Sequence, residues 1–135
     1  MMMSHYIALK SKNGKYLSIS SNGKLMSDKN DIKDCDIFIM KYEGRYVTFQ
    51  AKSKKYISAT MNGTIEIDKD KIQNTERFEI EWIDEDWFAL KSFYGNYVSL
   101  QKDGKIDANQ KSIGETEKFC LTVQKIESLF EFLQF

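Results

Sequence analysis

The chain has 135 residues, with 20 Lys+Arg against 20 Asp+Glu, no proline, 41% hydrophobic and 13% aromatic residues, the composition of one globular domain that buries roughly two thirds of its unfolded surface. A formal net charge of zero excludes a bulk electrostatic attraction to nucleic acid or anionic lipid, which needs a basic excess. No apolar run approaches the ~18 residues of a membrane helix, the amino end lacks a signal-peptide core, and Met2 stands where N-myristoylation needs Gly; the expectation is a cytoplasmic chain without a lipid anchor.

In chain order, an alternating run over Ile7 to Lys10 leads through a turn to Tyr16-Leu17-Ser18, then to Asn22-Gly23, a dipeptide suited to a tight hairpin. Leu25 follows, then a polar loop containing Ile32, and a last strand opened by Phe38. The same order returns from Val47 to Gln50 through Tyr56-Ile57-Ser58, Asn62-Gly63, Ile65, Ile72 and Phe78. It returns again from Phe88 to Lys91 through Tyr97-Val98-Ser99, Asp103-Gly104, Ile106, Ile113 and Phe119. The Tyr, Ser, Gly, Ile and Phe columns are separated by the same intervals of 40 and 41 positions, and the extra residue is absorbed between Phe78 and Phe88. Apolar positions alternate with period two and are rich in β-branched and aromatic residues, so each unit reads as four strands.

A fixed period decides the architecture. Three blades do not close a propeller, and a solenoid exposes two ends. Closure about a threefold axis hides the edges and buries the repeated Phe, Tyr and Leu or Ile. The reading is an all-β chain, a β-trefoil of twelve strands in repeats of about 5–44, 45–85 and 86–124, with a short apolar C-terminal extension over 125–135.

The segments GKYLS (Gly14 to Ser18), KKYIS (Lys54 to Ser58) and GNYVS (Gly95 to Ser99), each followed by a Gly-x-hydrophobic hairpin and later by D/E-x-F, resemble the fascin and hisactophilin trefoils. The resemblance spans all three repeats, about residues 5 to 124. It implies actin filament binding, with filament bundling in self-associating forms, at the cytoskeleton. Hisactophilin uses many loop histidines as a pH switch and an acylated glycine as an anchor. This chain has His5 alone and Met2, so neither device is expected.

Counted in register with the repeat, the neutral total separates into alternating blocks. Residues 1–27 carry +4 and residues 45–65 carry +4, both without an acid; residues 28–44 carry −2 and residues 66–86 carry −6. Residues 87–106 carry +2 and residues 107–135 carry −2. A basic zone suits an acidic filament surface, which makes Lys10, Lys12, Lys15, Lys52, Lys54 and Lys55 the candidate actin contacts. In the extension, Ile126, Leu129, Phe130 and Leu133 fall at helical spacing, joined by Phe132 and Phe135. That segment either folds back over the barrel or forms a homodimer, and a dimer would give one-site trefoils the two sites that crosslinking needs.

Trp82 and Trp87 flank Ile-Asp-Glu-Asp and are candidates for stacking a sugar, although the Q-x-W repeats of ricin-type lectins are missing. A carbohydrate-binding trefoil and a generic protein-interaction scaffold are therefore the alternative functions. Cys35 and Cys120 have no zinc spacing, the acidic runs do not match an EF-hand, and one histidine supplies no hydrolytic triad. No enzyme activity, metal or other cofactor is expected.

Overall fold

The computed structural model describes residues 4–126. Twelve strands form one connected sheet: β1 (Ser4–Ser11), β2 (Tyr16–Ile19), β3 (Leu25–Lys29), β4 (Phe38–Glu43), β5 (Tyr46–Gln50), β6 (Tyr56–Ala59), β7 (Ile65–Lys69), β8 (Phe78–Trp82), β9 (Phe88–Lys91), β10 (Tyr97–Leu100), β11 (Ile106–Gln110) and β12 (Phe119–Ile126). Antiparallel pairing runs β1 to β4, β4 to β5, β5 to β8, β8 to β9, β9 to β12 and β12 back to β1, which closes a barrel of these strands. The other strands pair as the hairpins β2–β3, β6–β7 and β10–β11. Closure leaves the barrel no free edge.

The fold is thus the β-trefoil expected from the repeat, and its core is built in threes. Ile7, Val47 and Phe88, then Leu9, Phe49 and Leu90, then Phe38, Phe78 and Phe119 are all buried barrel residues in equivalent positions. The hairpins add Leu17, Ile57 and Val98 with Leu25, Ile65 and Ile106. Among them, Leu9, Phe49 and Leu90 with Leu17, Ile57 and Val98 surround a central apolar void of about 20 Å³, so the interior is filled to near close packing.

Two parts of the sequence reading need correction. The repeated Tyr16, Tyr56 and Tyr97 are half-buried rather than core residues. The hairpin register slips immediately after Tyr16 and Tyr97 and between Tyr56 and Ser58, and such a bulge re-aims the side chain at its start. The tyrosine turns outward while the next aliphatic residue turns in. The repeated isoleucines are not core residues either: Ile32 and Ile72 are half-buried and Ile113 is 37% exposed.

A buried carboxylate holds the loop in two of the repeats. Glu76 is 1% exposed; it accepts the Gln73 N–H at 2.9 Å, the Ser58 hydroxyl at 2.7 Å and the Thr75 hydroxyl. Glu117 repeats this with Gly114 N–H at 2.7 Å, Ser99 at 2.5 Å and Thr116 at 2.5 Å. The first repeat has the shorter Asp36, which instead accepts the Ile19 N–H at 2.6 Å. This is the acid of the D/E-x-F motif, two residues before each repeated Phe.

Ile126 also moves from its expected place. β12 continues to Ile126, which pairs with His5 on β1, so its backbone belongs to the barrel rather than to a helical stripe. Leu129, Phe130, Phe132, Leu133 and Phe135 lie outside the described residues.

Candidate functional site

The turn joining each barrel strand to its hairpin has one geometry in all three repeats. Gly14 N–H donates to Ser11 O and Ser11 N–H to Lys15 O; Gly95 and Ser92 repeat the pattern. This closure requires a left-handed residue at its fourth position, and Gly14 (φ 83°) and Gly95 (φ 85°) supply it. The middle turn carries Lys54 there, at φ 73°, closed by Lys54 N–H to Ala51 O at 2.9 Å and Ala51 N–H to Lys55 O at 2.8 Å. Lys54 is the one non-glycine residue with positive φ among the described residues. A left-handed L-residue costs about 1–2 kcal/mol, and strain of this kind tends to mark functional positions.

The middle and third turns each overhang a groove floored by the start of the preceding repeat's last strand and its loop. The middle turn's groove is the largest, about 780 Å³. Tyr6, Ile37 and Ile39 give it apolar lining, and Lys52, Lys54 and Asp36 line it as well. Cys35 also lines it, with its thiol pushed up first by burial and then by Asp36, so it stays protonated near neutral pH. The corresponding groove under the third turn encloses about 350 Å³ beside Tyr46, Arg77, Glu79, Lys91 and Phe93. Phe93 is 58% exposed and meets Tyr94 edge-on at 5.3 Å.

The structure separates the six candidate lysines. Lys10 lies over the Tyr16 ring at 5.4 Å. Lys12 lies over Trp87 at 4.1 Å and near Glu115 at 3.8 Å. Lys15 lines a cavity with Asp28 and Asp103 beneath the hairpins, and Lys55 is bonded to Asp70. Lys52 and Lys54 enter no ion pair or ring contact among the described residues. The two basic blocks therefore form separate surfaces around the axis, and the two uncommitted ammonium groups share one groove.

Trp82 and Trp87 line one groove with Glu85 and Asp86. They do not present one flat platform: Trp82 stands edge-on to Phe88 at 5.2 Å, 64° between planes, and Lys12 covers Trp87. No group of three or more His, Cys, Asp or Glu side chains suited to a metal occurs among the described residues. The left-handed Lys54 was the signal that sequence reasoning passed over: KKYIS places Lys where GKYLS and GNYVS place Gly.

A family model, the Fascin domain, matches residues 28–121. No curated protein sequence matches the chain. Among solved structures, "SeviL bound to asialo-GM1 saccharide" is similar with TM-score 0.73 and 18% identity, covering 93% of this chain and 100% of that one. The designed threefold symmetric protein ThreeFoil is similar with TM-score 0.75 and 12% identity, covering 87% and 97% respectively.

Proposed function

The chain belongs to the Fascin domain family, and from that premise we propose that it binds filamentous actin through the groove carrying Lys52 and Lys54. The observation that carries the proposal is Lys54 itself. A lysine held in the conformation that glycine occupies in both sister turns retains strain that a glycine would relieve, which gives its ammonium a task outside the fold. Lys52 shares the groove, and Ile37 and Ile39 beside them add an apolar surface that excludes water from a docked acidic segment. Such contacts bind with salt-sensitive affinity.

Co-sedimentation with actin filaments tests this. The Lys52→Glu, Lys54→Glu chain should remain in the supernatant at salt concentrations where the natural chain pellets. Pelleting unchanged by the double substitution refutes the groove as the actin contact. Bundling, read at low speed, is proposed to require the apolar extension as a self-association segment. Because Ile126 is part of β12, the matching truncation ends at Ile126.

The geometry favours this reading over saccharide stacking on Trp82 and Trp87, because the two indoles do not form one flat platform and a cation, Lys12, already lies on Trp87. The likeness to SeviL is one of fold, at 18% identity.

A further inference from the structure

The groove where the second repeat passes into the third encloses about 380 Å³ and is lined by Trp82, Glu85, Asp86, Trp87, Cys120 and Leu121. We propose that it is a binding site for an organic ammonium cation, a methylated one above all, held between the indoles and the carboxylates of Glu85 and Asp86. This site is separate from the lysine groove and does not depend on actin binding.

Four observations meet here. First, an indole face attracts cations through its quadrupole, and the Trp87 face already holds one, the Lys12 ammonium at 4.1 Å. Second, Trp82 is 50% exposed and lines the groove, so part of its indole surface is accessible there. Third, the loop is fastened in advance. Asp84 Oδ1 accepts the N–H of Asp86 at 2.8 Å and of Trp87 at 2.9 Å, while Trp87 O accepts the N–H of Ile83 at 2.9 Å.

Fourth, Asp84 is consumed by this turn, whereas Glu85 and Asp86 enter no ion pair among the described residues. Both line the groove, with Lys10 and Lys12 as the cations close enough to act on Cys120 beside them. The floor is Cys120, whose thiol burial keeps protonated, with Leu121.

This donor and acceptor set discriminates among ligands. The polar side chains are carboxylate acceptors, with the indole N–H groups and a thiol as the donors. A pyranose needs more donors for its own oxygens, whereas a cation needs none. A methylated ammonium surrenders less hydration than a bare one, and its methyl groups pack on the indoles and Leu121. Lys12 then acts as an internal competitor for the Trp87 face.

The test is titration of the full chain, followed by tryptophan fluorescence, with tetramethylammonium, choline and a peptide bearing Nε-trimethyllysine. Sodium chloride at matched ionic strength and glucose or galactose serve as comparators. A saturable response to the ammonium probes is expected. It should weaken about tenfold in the Glu85→Gln, Asp86→Asn chain and strengthen severalfold in Lys12→Met. Tighter binding of choline than of the peptide assigns the site to a small head group, and the reverse assigns it to a methylated protein segment. A response no greater than with sodium chloride, one unchanged by the three substitutions, or saturation by a neutral sugar without an ammonium response overturns the proposal. The carboxylates substituted are exposed, so the barrel is preserved.

Discussion

Replacing Lys54 by glycine should make the protein more stable and a poorer actin binder at once. The left-handed conformation, φ 73°, costs an L-residue about 1–2 kcal/mol, and glycine removes that cost. Glycine also brings a more disordered unfolded chain, which returns about 0.5–1 kcal/mol of the gain. The net stabilisation is about 0.5–1 kcal/mol. With an unfolding entropy of about 2.1 cal/mol/K per residue over 135 residues, the melting temperature should rise by roughly 2–4 °C.

Differential scanning calorimetry reads that shift, and co-sedimentation reads the lost ammonium as a severalfold weaker affinity. Lys54→Ala separates the two effects, because it loses the charge but keeps the Cβ that opposes the turn. It should bind as poorly as Lys54→Gly without the gain in melting temperature. A glycine variant that melts no higher refutes the strain. One that melts higher but binds filaments as well as the natural chain refutes the link between strain and function.

Glu76→Ala should destabilise by about 2–3 kcal/mol, seen as a lower midpoint in urea, because the Ser58 hydroxyl would be left buried without an acceptor and the Gln73 N–H would lose its loop-closing bond. Two backbone N–H bonds hold the Asp84 carboxyl below its ordinary value. Its folded pKa is thus lower than its unfolded one, so its contribution is complete above the unfolded value near 3.9 and fades as pH falls through the folded value. The protection of the Asp86 and Trp87 amides, measured relative to their intrinsic exchange rate at each pH, should fall in acid, and Asp84→Ala should remove both the protection and its pH dependence. A chain ending at Ile126 should scatter light as a monomer and pellet with actin at high speed while losing low-speed bundles; bundles that persist refute the role of the extension.

Much of the fold was legible because the repeat is written in residues whose chemistry is local. Gly23, Gly63 and Gly104 occupy left-handed positions at φ 80°, 84° and 89°, and Phe38, Phe78 and Phe119 are fully enclosed. Where the reading failed, equal spacing concealed unequal environment. Tyr16, Tyr56 and Tyr97 repeat as faithfully as the phenylalanines, but a register slip sends them outward. The D/E-x-F spacing marks Glu76 and Glu117 without predicting their burial, which the convergence of loop N–H groups and strand hydroxyls explains. The site was less legible than the fold. Charge counting grouped Lys10, Lys12 and Lys15 with Lys52, Lys54 and Lys55, but closure about the axis assigns Lys12 to Trp87 and Lys52 to the groove beside Tyr6.

The barrel interior is shared property, whereas the overhung grooves are private. A change at Phe38, Phe78 or Phe119 is felt by the common core, while exchanging Lys52, Phe93 or Lys12 alters one groove and leaves the wall of its sisters as it was. A duplicated ancestor with three identical turns could therefore have been edited one groove at a time, each edit exposed to selection without endangering the fold. The basic, mixed aromatic and acidic grooves of this chain read as three separate outcomes of that freedom.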